Sequence, residues 1–82
     1  MKNVMLIGDV RVEREYLESY VKVKSRDWKC KVMIVDYDLS DECEDAYKVT
    51  LYSTRKGRRI ITLNIPNWYL IECKKIYMKG LV

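Results

Sequence analysis

The chain of 82 residues contains no histidine, no phenylalanine, a single proline and three glycines. Without histidine there is no imidazole general base, no Ser–His pair and no His-ligated metal. So few glycines leave no phosphate-cradling loop, and no G-x-S-x-G is present. Cys30, Cys43 and Cys73 are odd in number and form no C-x-x-C pair. That argues against a disulfide framework and against four-ligand structural zinc. Three free thiols are expected, with Cys30 and Cys73 partly buried as small apolar residues.

No run approaches the roughly 18 apolar residues of a transmembrane helix. The opening "MKNVMLIGDVRVERE" has an apolar stretch too short for a signal-peptide core and no small-residue cleavage site. The expected location is therefore the cytoplasm, and the expected activity is non-enzymatic, with no cofactor.

What the chain does have is charge, unevenly placed. Residues 36–45, "DYDLSDECED", hold six carboxylates and no cation. Residues 46–82 hold eight Lys or Arg against the single Glu72, and residues 1–35 hold eight cations against five acids. The net charge of +4 thus hides two basic regions on either side of an acidic one. Asp36, Asp38 and Asp41 approach the opening spacing of an EF-hand loop. The sixth position is not glycine, however, and the twelfth is Tyr47, so specific calcium binding is not expected.

At 49% apolar residues, with seven Tyr and two Trp, the chain can close one small core, which makes it a single domain. "VMLI" (4–7) reads as a short buried strand. In residues 9–21, Tyr16, Leu17, Tyr20 and Val21 fall at helical spacing, and "EREYLES" favours a short helix at about 11–19. Val10 and Val12 with alternate charges equally suit a strand.

"YVKVK" (20–24) alternates, placing Lys22 and Lys24 on one face. "KCKVMIVDYD" (29–38) reads as a central strand, and "AYKVTLYST" (46–54) alternates again. "RKG" (55–57) is a hairpin turn, and "RRIITLNI" (58–65) returns from it. Pro66 lacks an N–H and must end or bend that strand. "YLIECKKIYM" (69–78) then reads as a last strand. Five to six short strands with tight turns predict an all-β small closed barrel over residues 20–78, with a strand or short helix in residues 1–19.

"NIPNWYL" resembles the I-P-S-N-Y-V segment before the last strand of Src-homology-3 domains, and "MIVDYDLSDECED" resembles their A-L-Y-D-Y strand with its acidic loop. Only 27 residues separate Tyr37 from Ile65, fewer than that family usually places there, and its paired mid-domain tryptophans are absent. The run 20–75, about two-thirds of the chain, better resembles the wider Src-homology-3-like barrel group, Tudor and KOW-type domains included. The resemblance implies a barrel. In Src-homology-3 domains the positions that Tyr37, Pro66 and Tyr69 match help line a groove for proline-rich, polyproline II peptides, and Trp68 beside them completes the candidate protein-binding set.

Two functions follow as expectations. The first is electrostatic nucleic-acid binding, alone or within a nucleoprotein complex. Lys22, Lys24, Arg26, Lys29, Arg55, Lys56, Arg58, Arg59, Lys74 and Lys75 would meet phosphates, and Trp28 and Trp68 would stack on bases. The alternative is a protein-binding modulator or inhibitor of a larger host enzyme. The Lys-, Ile- and Tyr-rich composition, which resembles that of phage or mobile-element genes, points that way. No membrane contact is expected, and the sequence does not indicate an oligomeric state.

Overall fold

The computed structural model describes the backbone of residues 10–80 and side chains from residue 14 onward. The expected strand at residues 4–7 lies outside the described residues. The elements run α1 (Val10–Trp28), β1 (Val32–Leu39), β2 (Ala46–Ser53), β3 (Arg59–Pro66) and α2 (Asn67–Met78).

Helix α1 runs nine residues past the expected end at residue 19 and absorbs the predicted strand 20–24. The decisive residues are Leu17, Tyr20 and Val23, spaced three apart and all buried, which is the stripe of a helix rather than the alternation of a strand. Ser19 is buried too, and its hydroxyl donates to the Glu15 carbonyl at 2.9 Å, so it carries no unmet polar group into the core. The helix stops where Lys29 enters the left-handed region at φ 53°.

The three strands coincide closely with sequence expectation and form an antiparallel meander in the order β1-β2-β3. Tyr47, Val49 and Leu51 of β2 lie opposite Ile65, Leu63 and Ile61 of β3. On the other side Leu51 pairs with Ile34 and Val49 with Tyr37. Val35 is an extra residue between these two β1 pairs. In an unbroken ladder Val35 would pair with Thr50 and Asp36 would fall opposite Val49 on the covered face. The bulge instead sets Asp36 opposite Thr50 on the open face and returns Tyr37 to the core side.

Pro66 (φ −63°, ψ 143°) closes β3 and leads directly into α2. Its missing N–H costs nothing at a helix start, and the next amide, of Asn67, donates to the Asp45 carbonyl at 2.8 Å. The predicted last strand 69–78 is therefore a helix. Leu70 and Cys73, three apart and fully buried, with Ile76 half-buried beyond them, form its inner stripe. Gly80 at φ 72° ends it, donating to the Tyr77 carbonyl at 3.0 Å.

The closed barrel is thus corrected to a two-layer α/β arrangement, with both helices on one face of an open three-stranded sheet. With residues 20–28 and 69–78 helical, too few strands remain to close a barrel. The sheet buries its apolar face under helices instead. The core is Leu17, Tyr20 and Val23 of α1, Leu70 and Cys73 of α2, and Val32, Tyr47, Val49, Leu51 and Ile65 of the sheet. Among the described residues no helix is long and apolar enough to cross a membrane.

Candidate nucleic-acid interface

The helical reading of residues 20–28 sets the site. Tyr20, Lys24 and Trp28 stand four apart, on one face of α1, so the lysine passes between two rings. Lys24 Nζ lies 5.6 Å from the centroids of both Tyr20 and Trp28, and 4.7 Å from that of Tyr69 on α2. The Tyr69 ring packs edge-on against Tyr20 at 5.9 Å and against Trp68 at 5.6 Å. Trp68, on the first turn of α2, is 65% exposed.

The β2–β3 hairpin supplies the other side. Thr54 exchanges hydrogen bonds with Lys31: the Thr54 amide donates to the Lys31 carbonyl at 3.1 Å, and the Lys31 amide donates to Thr54 Oγ1 at 3.0 Å. These contacts, with Cys30 Sγ 3.6 Å from Ser53 Oγ, tie the α1–β1 turn to the hairpin. Ser53 Oγ accepts from the Arg55 amide at 3.0 Å, which fixes the chain as it leaves β2. Arg55 then lays its guanidinium 5.0 Å from the Trp28 centroid. Lys56 and Gly57 form the turn at φ 56° and 92°, as the sequence pattern anticipates for Gly57.

The result is an unbroken track from Arg55 through Trp28, Lys24 and Tyr69 to Trp68. Beneath its Arg55 end lies a cleft of about 220 Å³ lined by Trp28, Ser53, Arg55, Lys56, Arg59, Ile61 and Leu63. Each cation–ring contact contributes about 0.5–1 kcal/mol when partly exposed, so Lys24, with three rings, is restrained more than Arg55, with one. Among the described residues Arg55, Lys56, Arg58 and Arg59 make no ion pair.

Burial pushes the Tyr20 phenol well above its ordinary 10.0, and Tyr69 and Cys73 add to the shift. Burial also raises the Cys73 thiol, an effect opposed by Lys24 and by a hydrogen bond with Tyr69. The ring beside Lys24 is therefore a neutral phenol and offers its π face to the ammonium.

Of the residues singled out from sequence, Lys24, Trp28, Arg55, Lys56 and Arg59 come together with Trp68 at the far end of the track. Others lie apart. Lys22 lines a separate groove of about 720 Å³ between α1 and β1. A strand would put Lys22 and Lys24 on one face, whereas a helix turns them well away from each other. Arg26 pairs with Asp27 at 2.9 Å, and Lys75 with Glu72 at 3.5 Å. Lys74 pairs with Glu15 at 2.6 Å and lies 5.1 Å from the Tyr16 centroid. Lys29 is exposed at the α1–β1 turn, and Arg58 is exposed outside the cleft lining.

The second predicted set does not assemble. Tyr37 sits on β1 against the α1 groove, while Pro66, Trp68 and Tyr69 lie at the β3–α2 junction, with β2 between the two strands. Sequence reasoning missed Tyr20, Ile61 and Leu63 as site residues. The four-residue spacing of Tyr20, Lys24 and Trp28 was the available signal for the first.

At the opposite end of the sheet the acidic connection is tied down by its own side chains. Ser40 Oγ accepts from the amides of Glu42 and Cys43 at 3.2 and 3.0 Å. It also donates to Asn64 Oδ1 at 2.9 Å, and Asn64 Nδ2 donates to Glu42 Oε1 at 2.8 Å. No protein family, curated protein or solved structure matches the chain.

Proposed function

We propose that this chain is a small, cytoplasmic, non-enzymatic module that binds nucleic acid electrostatically, through the basic end of its sheet and the adjoining aromatic track. The observation that carries this reading is the ordering of Lys24 and Arg55 on Trp28, beside Lys56 and Arg59. Cations held on rings lose less freedom when a phosphate arrives than cations on free stems.

Four phosphate contacts on a single strand give a slope of about −2.8 in log affinity against log salt, or roughly 50-fold between about 50 and 200 mM. Fluorescence anisotropy with labelled DNA and RNA across that range tests it. The expected result is a drop of that order and loss of binding in Arg55→Glu/Arg59→Glu. Absence of binding at the lower salt would sink the reading.

A second reading has one observation of its own. Among the described residues β1 is an edge strand, and Met33, Val35 and Leu39 on it are exposed. An extended partner segment can add to such an edge, and Asp36 and Asp38 favour one carrying lysine or arginine. This is the protein-modulator alternative. Its test is a peptide alternating lysine and valine, which should bind the parent chain and fail on Val35→Lys. Failure to bind the parent chain ends it.

A further inference from the structure

Leu51 and Val49 are fully buried on the covered face, yet their β3 partners Ile61 and Leu63, on the same face, are only half-buried. Helix α2 leaves the far end of β3 and packs chiefly on α1, so the hairpin half of β3 keeps a partly exposed apolar strip. Trp28 walls that strip on the helix side, and Arg55, Lys56 and Arg59 rim it. The cleft therefore has an apolar floor and wall, one buried hydroxyl (Ser53) and a cationic rim on one side.

A featureless polyanion would use only the rim. A duplex presents phosphates but keeps its bases stacked, and so leaves the floor exposed. The occupant whose chemistry matches both parts is a planar apolar ring joined to a phosphate. We propose that the cleft receives one unpaired base of a single-stranded nucleic acid. In this arrangement the base lies against Trp28, Ile61 and Leu63, and its flanking phosphates meet Arg55, Lys56 and Arg59. This inference rests on the nucleic-acid reading above and names its ligand class. Preference for single strands follows from the floor, and salt dependence follows from the rim.

Trp28 and Trp68 are the two tryptophans of the chain, so Trp68→Phe leaves Trp28 as the only indole reporter. In that background the chain is titrated with a short oligothymidylate, an abasic oligonucleotide of equal length, a DNA duplex and inorganic polyphosphate. The expected result is quenching of Trp28 by oligothymidylate alone, with affinity about tenfold or more above that for the abasic strand. Leu63→Ala, checked for folding by circular dichroism, should lower oligothymidylate affinity towards the abasic value and leave abasic binding unchanged. Equal binding of abasic and base-bearing strands, or a duplex bound as tightly as the single strand, overturns the base slot while the polyanion reading stands. Binding of none of the four overturns both.

Discussion

At one end of the sheet the β1–β2 connection carries Asp41, Glu42, Glu44 and Asp45, and at the other the β2–β3 hairpin carries Arg55, Lys56, Arg58 and Arg59. The acidic end holds its carboxylates in place with neutral groups: Ser40 and Asn64 knot the loop. The basic end uses rings. Arg55 and Lys24 are drawn onto Trp28 and Tyr69, and an apolar cleft opens beneath them. Eight-residue strands separate the two ends by about 26 Å, well over the roughly 8 Å screening length at physiological salt. Two clusters of opposite sign can therefore share one small domain without neutralising each other, and the basic one stands over a floor of Ile61 and Leu63.

The largest way to break the comparison is to remove what joins the ends. Leu51 is fully buried at the middle of the central strand and lies between Ile34 and Ile61. Leu51→Ala should cost about 2–5 kcal/mol by the lost burial and the cavity left behind. A urea titration reads it directly. A cost under about 1 kcal/mol would mean that the two ends do not depend on one shared core.

Next in size is the exchange of charge at each end in turn. Arg55→Glu/Arg59→Glu should weaken oligonucleotide binding by about 100-fold or more at low salt, since repulsion replaces attraction at two rim positions. Asp41→Asn/Glu42→Gln, a strand's length away, should change it by less than about twofold. Equal effects from the two pairs would show binding to net charge and not to the basic end.

The unequal legibility of the chain follows from the same residues. The three strands were readable because Tyr47, Val49 and Leu51, and then Ile61, Leu63 and Ile65, alternate with polar residues and are separated by a turn that needs Gly57. The helices were not. Residues 20–24 alternate Val with Lys by coincidence, and only the longer spacing from Leu17 through Tyr20 to Val23 reveals the helical stripe. In α2 the apolar run is nearly continuous, so a strand and a helix both satisfy it. Pro66 marked a boundary without saying what followed. Of the candidate site, the cations and Trp28 were readable from charge and composition. Their gathering depended on the helix, and the half-bare strip on β3 depended on where α2 leaves the sheet.

The backbone offers a smaller test at the hairpin end. Lys29 and Gly57 both sit at positive φ, one with a side chain and one without. Lys29→Gly removes left-handed strain of about 1–2 kcal/mol and adds unfolded-state freedom, for a net gain of roughly 0.5–1 kcal/mol. Gly57→Ala should lose about 1 kcal/mol, although space is open around its Cβ. Thermal melts should move by about 4–8 °C per kcal/mol for a domain of this size, in opposite directions. Shifts of the same sign would refute the backbone account of this end.

The smallest effect isolates the ring beneath Lys24. The folded chain holds the Tyr20 proton more tightly than the unfolded chain, whose phenol titrates near 10.0. As pH rises past that value, the unfolded state sheds protons first. The stability that Tyr20 contributes is therefore constant below it and falls above it. Cys73, also raised by burial, begins the same decline near 9.0. Tyr20→Phe deletes the phenol and keeps the ring, so its urea midpoint should fall less than the parent's between about pH 10 and 11 and track it between about pH 7 and 8. Parallel curves through the alkaline range would show that the phenol beside Lys24 titrates as freely as in the unfolded chain. The packed aromatic track would then lose its support at the point where both helices meet.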